Sequence, residues 1–366
     1  MNKFKFNLTD KKVLNIPSNI QIVFLCGVKF KRSKGMDKRL ALQEIIRMRP
    51  NTSTVILEEH FTDLDMYSDI GLRNIHDVEN LVGCFSNATI VIHESLSTAA
   101  EIGMLASNIR SADRTIVLYP DSGIQKNEKV TGFIDLAYYH TNPVLSKAGR
   151  IPFAPFLRET YETNYSQSLH TFLPDEFATS YPYSKIQDFL NDSKIKSSTI
   201  FTFQQLDYRH GISRLDDLID YDYKNKRLTV FISPEALKAT VISLLSVDQV
   251  RKEVRDCTKY IDLISVLYNH LQNALEETIK EYLPSTPEVT TIELKNIELT
   301  KSQNAESITD TRKALGMFIY LLKAIGFLYI EDDEKFKVTR GFASTRESYS
   351  NSTIKIKKSS FAKASN

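Results

Sequence analysis

The sequence is poor in cysteine, with only Cys26, Cys84 and Cys257 among 366 residues. Three scattered cysteines are too few for a disulfide framework, and the seven histidines include no pair with zinc-motif spacing. No apolar run approaches the roughly 18 residues of a transmembrane helix. The opening residues MNKFKFNLTDKK also lack the apolar centre of a signal peptide. These absences predict a cytoplasmic protein without a membrane segment, a bound metal or a structural disulfide.

Neither sign of charge is in excess, because the net charge is +2. Hydrophobic residues make up 42% of the chain and charged residues 25%, which is typical of a globular protein. The balance gives no reason by itself to expect a strongly acidic or basic partner. The length predicts two or three domains.

Strands and helices alternate in the first third of the chain. Apolar runs at residues 21–26, 54–57, 88–92 and 114–119 predict buried strands, with helical patterns between them. This alternation predicts an α/β domain over residues 1–150, with a flavodoxin-like or Rossmann-like parallel sheet. The G-x-G-x-x-G fingerprint is absent, because only Gly27 follows the first strand. A standard dehydrogenase is therefore excluded, and no cofactor is expected.

The rest of the chain divides into three further parts. Residues 151–300 predict an irregular and helical middle region, with a strand at 226–232, a helix starting at Ser233-Pro234, and a long helix at about 247–282. A helix ending at Gly326 and a following hairpin predict a winged helix-turn-helix at 301–342. The serine- and lysine-rich residues 343–366 predict a disordered tail.

The stretch HESLSTAAEIGMLA, residues 93–106, carries the strongest candidate for chemistry. It follows a predicted strand, and ligands of open α/β sheets bind at the carboxyl ends of strands. We expect Glu101 in the first turn of a helix, where it can act as a nucleophile or stabilise an oxocarbenium ion. Ser97 and Thr98 would offer hydroxyls and amides to a ribose or phosphate. The alternative is a structural acid that interacts with the helix dipole and so stabilises the helix by about 0.3–1 kcal/mol.

Two charged loops supply further candidates. Lys29, Lys31, Arg32 and Lys34 follow the first strand and suit phosphates of a nucleotide or a nucleic acid, although a solvated loop remains open. The acidic loop after the second strand contains Glu58 and Asp63, which we interpret as substrate-binding acids rather than Mg²⁺ ligands. His93 either lines the same site or is a buried, hydrogen-bonded histidine.

The segment Ser97-Thr-Ala-Ala-Glu101-Ile-Gly103 resembles the nucleoside 2-deoxyribosyltransferase family, whose pattern has small residues before Glu-x-Gly. Within this resemblance, the chain is most similar to the effector proteins encoded beside retron reverse transcriptases. The similarity lies in Phe24-Leu-Cys-Gly27, in Leu57-Glu-Glu-His-Phe-Thr-Asp63 and in Glu94-Ser95. It covers residues 20–120 well and residues 300–342 loosely. The classical enzymes have an aspartate six residues before the nucleophile, where this chain has Ser95, which puts base exchange in doubt.

The resemblance implies an antiviral toxin that cleaves N-glycosidic bonds of nucleotides or NAD. Its activity would be held off by the retron reverse transcriptase and its RNA–DNA product, msDNA, and the chain would form an oligomer. Glu101 and Glu94 would be the catalytic residues. The substrate-binding residues would be Cys26, Gly27, Glu58, Asp63, His93, Ser95, Ser97 and Thr98. The alternative function is a catalytically inactive regulator that senses nucleotides and binds DNA.

Overall fold

The structure is a computed structural model of the whole chain. It describes residues 4–6, 20–29, 37–61, 64–93, 95–107, 111, 114–120, 155–156, 181–191, 202–205, 218–280, 291–294, 296–298, 308–331, 335–339, 342–343, 345 and 354–356.

The strands are numbered along the chain as β1 (Phe4–Phe6), β2 (Gln21–Cys26), β3 (Thr52–Val55), β4 (Ala88–Ile92), β5 (Thr115–Pro120), β6 (Pro155–Phe156), β7 (Thr202–Gln205), β8 (Leu218–Lys224), β9 (Arg227–Ile232), β10 (Thr291–Leu294), β11 (Asn296–Glu298), β12 (Ile308–Asp310), β13 (Leu328–Ile330), β14 (Phe336–Val338) and β15 (Ile354–Ile356).

The helices are numbered likewise as α1 (Lys38–Arg47), α2 (Leu57–His60), α3 (Leu64–Ile70), α4 (Ile75–Phe85), α5 (Leu96–Ser107), α6 (Tyr181–Asn191), α7 (Pro234–Leu245), α8 (Asp248–Arg255), α9 (Tyr260–Ile279) and α10 (Thr311–Ala324). The chain forms two compact units and passes from one to the other several times. One unit comprises residues 20–63 and 82–197, and the other comprises 1–19, 64–81 and 198–366.

A parallel sheet organises the unit of residues 20–63 and 82–197. Its strand order is β3-β2-β4-β5-β6, and each neighbouring pair is parallel. The prediction of an α/β fold with a parallel sheet is confirmed. Strands β2 and β4 lie at their predicted bounds, because uninterrupted apolar runs such as ATIVI are buried on both faces. The other two predicted strands, 54–57 and 114–119, lie at β3 and β5 with shifted ends.

The strand order creates one special position in this sheet. The chain places β3 on one side of β2 and then moves to the other side for β4, which is the order of flavodoxin-like doubly wound sheets. Ligands of such sheets bind beyond the carboxyl ends of the two strands where the order reverses. Here those strands are β2 and β4, with Cys26 paired in register with Val91.

A mixed sheet lies in the second unit, with the order β10-β9-β8-β7. Strands β8 and β9 form a hairpin whose two turn residues, Asn225 and Lys226, have φ angles of 50° and 60°. A two-residue turn with positive φ at both positions matches the right-handed twist of the strands it joins. The predicted strand at 226–232 is therefore confirmed as β9, and it belongs to a sheet that the sequence patterns did not predict.

The helices after β9 confirm one predicted boundary and correct another. Ser233 caps α7 by accepting a hydrogen bond from the Ala236 amide at 3.1 Å, with proline at the first helical position. The long helix predicted at about 247–282 is wrong, because α8 and α9 are separate. Ser246 is the C-cap of α7, and Val247 is the N-cap of α8 without a side-chain hydrogen bond.

Helix α10 and the β13–β14 hairpin lie where the winged helix-turn-helix was predicted. Asp310 caps α10, and Gly326, with φ of 74°, ends it as the Phe327 amide bonds to the Leu322 carbonyl at 2.8 Å. Every residue from position 314 to 322 is buried. Reading DNA bases requires an exposed helix face, so this burial argues against base reading by α10. The winged-helix assignment itself stays a prediction.

Helix α3 packs against α10 within the same unit. A Cβ added at Gly316 would lie 2.2 Å from Cγ2 of Ile70, which shows how closely the two backbones approach. The Tyr320 hydroxyl also donates to Asp69 at 3.1 Å. The acidic segment after the second predicted strand is thus not simply a loop, because it contains α2 and α3.

The predicted tail at 343–366 contributes one strand. Strand β15 pairs antiparallel with β1, which joins residues near the two ends of the sequence. Among the described residues, no helix is long and apolar enough to cross a membrane.

Candidate functional site

The candidate site lies at the carboxyl ends of β2, β3 and β4. Gly27 directly follows β2 and packs beside the end of β4. A Cβ at this position would lie 3.2 Å from Cγ and Cδ of Arg39 and 3.3 Å from Cβ of Ile92. These distances are tighter than ordinary contacts, so glycine leaves room here for the arginine stem. This position is compatible with the predicted substrate-binding role of Gly27.

A buried arginine connects β2 to the segment after β3. The Arg39 side chain is 3% exposed. Its Nη1 donates to both carboxylate oxygens of Glu58, at 2.9 and 2.8 Å. Its Nε and Nη2 donate to the two oxygens of Asp37, at 3.1 and 2.9 Å. The guanidinium therefore joins the start of α1 to α2, while the aliphatic stem of Arg39 lies beside Gly27 at the end of β2.

The charge of Arg39 is stabilised by these two acids. Burial lowers its pKa, but the hydrogen bonds and charges of Asp37 and Glu58 outweigh burial and raise the pKa above its ordinary value. Asp37 also caps α1 by accepting from the Arg39 amide at 3.0 Å. Sequence reasoning missed Arg39, because a charged residue in an amphipathic helix ordinarily indicates a solvated position.

Ser95 and Thr98 cap the start of α5 reciprocally. The Thr98 amide donates to the Ser95 hydroxyl at 3.2 Å, and the Ser95 amide donates to the Thr98 hydroxyl at 3.0 Å. This is a capping box with threonine in the usual place of glutamate. Both residues thus hold the helix start, and the Thr98 amide is not available for the predicted contact to substrate. Ser97 is exposed, and its hydroxyl lies 2.8 Å from that of Ser95.

His93 connects the end of β4 to this cap. Its backbone amide continues the sheet by donating to the Leu118 carbonyl, and its Nδ1 lies 3.1 Å from the Thr98 hydroxyl. Burial lowers the pKa of His93, which favours the neutral imidazole. His93 is half-buried at the edge of the sheet, so both predicted readings of it, a hydrogen-bonded histidine and a site residue, fit its position.

Glu101 lies one turn deeper in the helix than predicted. Helix α5 begins at Leu96, so Glu101 is in its second turn, and the expectation of a first-turn acid is wrong. The helix dipole acts mainly within the first turn, which weakens the structural explanation of this glutamate. Residues 98, 102 and 105 form the buried stripe of α5. Glu101 lies three residues after Thr98 and four before Leu105, hence on that packed side.

The Glu101 side chain is half-buried, and its Oε2 is shielded from solvent. A carboxylate on the packed side of a helix, at the functional edge of a parallel sheet, is unusual for a merely solubilising residue. Its position is compatible with chemistry on a ligand bound beyond β2 and β4.

The other predicted site residues have mixed outcomes. Cys26 is buried at the end of β2 with 5% of its surface exposed, and Lys29 is exposed. Predictions for Lys31, Arg32, Lys34, Asp63 and Glu94 fall outside the described residues. No group of three potential metal ligands occurs in the described part of the chain.

The chain matches the model of a known protein family over most of its length. The model of a family described as STM3845 retron effector protein matches residues 36–330. The match spans most of the chain and includes α1, the segment after β3, α5 and α10. No curated protein matches the chain.

Proposed function

The chain belongs to the STM3845 retron effector protein family, and we propose that it is the toxin of a retron, cleaving N-glycosidic bonds of nucleotides or NAD. Family membership ties the chain to retron anti-phage defence and to association with a retron system. The observation that carries the proposed chemistry is the position of Glu101. Its side chain lies on the packed side of α5, the helix that begins beyond the carboxyl end of β4, where doubly wound folds bind their ligands.

In the proposed reaction, Glu101 acts on C1′ of the sugar. Its carboxylate attacks C1′, or stabilises the oxocarbenium ion, as the bond from C1′ to the base nitrogen breaks. The base leaves with the bonding electron pair. A nucleobase also takes a proton from an acid, for which Glu94 is the predicted donor, whereas the cationic nicotinamide of NAD leaves neutral without one. Water then adds to C1′ and loses a proton, to the Glu94 carboxylate where that acid has protonated the base and otherwise to solvent. The free sugar phosphate, or ADP-ribose from NAD, forms and Glu101 is regenerated.

The neighbouring residues supply binding rather than bond cleavage. Gly27 leaves room at the end of β2, and the neutral imidazole of His93 can hydrogen-bond the sugar or the base. The amides of Leu96 and Ser97 have no acceptor within α5, because the first turn of a helix leaves its amides unpaired. The exposed Lys29, with the predicted basic residues after it, suits the phosphates.

A retron toxin requires control by its own system. We propose that the reverse transcriptase and its RNA–DNA product hold the activity off until infection. We also propose that the chain has a deoxyribosyltransferase-like fold and forms an oligomer.

The test compares nucleotide extracts of cells that express the wild type, Glu101→Gln or Glu44→Gln. Glutamine keeps the size of the side chain but cannot form a glycosyl ester, so Glu101→Gln should lose about 10³-fold or more of the activity. Glu44 is exposed on α1 and serves as the matched control. Chromatography should show NAD or particular nucleotides depleted with the wild type and Glu44→Gln only.

Co-expression of the retron reverse transcriptase and its RNA should restore the nucleotide pools. Equal depletion by the wild type and Glu101→Gln would remove Glu101 as the nucleophile. Unchanged pools with all three proteins, both when expressed alone and in phage-infected cells that also carry the reverse transcriptase and its RNA, would overturn the toxin proposal. They would favour the inactive regulator, although α10, buried from residue 314 to 322, presents little surface for reading DNA.

A further inference from the structure

Glu58 combines an exposed side chain with a fixed carboxylate. Its side chain is 46% exposed, yet both oxygens accept hydrogen bonds from one nitrogen of a guanidinium that is almost wholly buried. An ordinary surface ion pair holds neither partner in place, because both long side chains keep their rotamer freedom. Here the cationic partner has no such freedom.

Arg39 is immobilised from two other directions. Asp37 binds its Nε and Nη2, and its aliphatic stem packs closely beside Gly27. Since Asp37 is also the N-cap of α1, the guanidinium is held by a residue that is itself fixed. The Glu58 carboxylate is therefore held in place, through Arg39, beside the carboxyl end of β2.

The bound carboxylate keeps capacity for a ligand. An ionised carboxylate has about four acceptor positions, and the single nitrogen of Arg39 occupies about one on each oxygen. The remaining positions belong to a side chain that is nearly half exposed. A group that only accepts hydrogen bonds selects donors such as sugar hydroxyls, and its negative charge repels phosphate.

We propose that Arg39 is a positioning residue, whose buried guanidinium fixes the carboxylate of Glu58 as the acceptor for a ribose hydroxyl of the substrate. The inference rests on the proposed N-glycosidic function and specifies how the sugar is recognised. It also assigns Glu58 to recognition rather than to proton donation, because both of its oxygens already accept from Arg39. A preorganised acceptor of this kind discriminates between a ligand that carries the hydroxyl and one that lacks it more strongly than a mobile acceptor does.

The test measures binding, so that it does not depend on turnover. Isothermal titration calorimetry on the full chain carrying Glu101→Gln would use the monophosphates of adenosine and uridine, each beside its 2′-deoxy and 3′-deoxy forms. We expect one of the two deoxy forms to bind about tenfold or more weakly, the loss of a hydrogen bond to a charged group. Adding Glu58→Gln or Arg39→Lys should reduce this ratio to about two or less, since either change disturbs the fixed carboxylate.

Two further variants complete the set. Glu59→Gln changes the adjacent exposed acid of α2 and should keep the full hydroxyl ratio. Asp37→Asn preserves helix capping, because asparagine is an equally good N-cap, but loosens the hold on Arg39 and should reduce the ratio. It provides the positioning test if Arg39→Lys fails to fold.

The outcomes separate this inference from the proposed function. A hydroxyl ratio that survives Glu58→Gln would overturn the recognition role while leaving N-glycosidic cleavage intact. A ratio that falls with Glu58→Gln but survives both Asp37→Asn and a folded Arg39→Lys would overturn the positioning role of Arg39. Absence of nucleotide binding, together with unchanged nucleotide pools in expressing cells, would overturn the proposed function and the inference with it.

Discussion

His93 makes stability depend on pH in a definite direction. Burial lowers its pKa, so the unfolded chain binds a proton at this position more readily than the folded chain does. The free energy of unfolding should therefore fall as pH drops through the ordinary histidine range, and this contribution stops changing below the folded-state pKa. We expect His93→Gln to lose less thermal stability than the wild type between about pH 7.5 and 5.5.

Thermal melts at both pH values check this expectation. His76→Gln, at an exposed position of α4, is the matched control and should behave like the wild type. Identical losses in the His93→Gln and wild-type proteins would show that the environment of His93 does not disfavour its protonation.

At the scale of single elements, the start of α5 depends on one hydroxyl. Ser95→Ala removes the acceptor of the Thr98 amide and should lower the free energy of unfolding by about 1 kcal/mol. Ser97→Ala changes the exposed serine of the same turn and should cost much less. Urea unfolding of both variants measures the difference, and equal effects would contradict the capping-box assignment.

The close packing of α10 against α3 predicts that replacing a helical glycine by alanine lowers stability, whereas this change ordinarily raises it. Alanine favours helices by about 1 kcal/mol over glycine, so Gly316→Ala would stabilise an isolated α10. The new Cβ would instead lie 2.2 Å from Cγ2 and 3.1 Å from Cβ of Ile70. Cβ moves only with the α3 backbone, and Cγ2 moves only with that backbone or with a change of the stiff β-branched rotamer. We expect Gly316→Ala to lower the free energy of unfolding by about 1–3 kcal/mol.

A second glycine provides the control for this prediction. A Cβ at Gly83 in α4 meets its nearest neighbour, Leu105, at an ordinary 3.6 Å, so Gly83→Ala should raise stability by about 0.5–1 kcal/mol. The double variant Gly316→Ala/Ile70→Ala should lose less free energy of unfolding than the sum of the losses in the two single variants. Additive losses, measured by urea unfolding, would show that the two positions do not touch.

Across the whole molecule, sequence patterns predicted the elements that local chemistry determines. The runs that became β2 and β4 are apolar throughout, and Gly326 supplies the positive φ that ends α10. Helix α3 was missed because its acids suggest a solvated loop, whereas the surface that buries Ile70 is on α10, far along the chain. Arg39 was missed for the same reason, since its burial is decided by its tertiary partner Glu58.

Helix α3 and its packing partner α10 lie far apart in the sequence, and this distance along the chain affects the order in which they are synthesised. Ile70 leaves the ribosome long before Gly316, so the segment between β3 and β4 emerges without the helix against which it packs. That segment joins the two strands whose ends carry Glu58 and His93. On the proposed toxin function, we therefore expect a nascent chain, or a product of premature termination before α10, to be harmless. Translation itself would then give the cell that makes this effector an interval in which the proposed control partners can assemble.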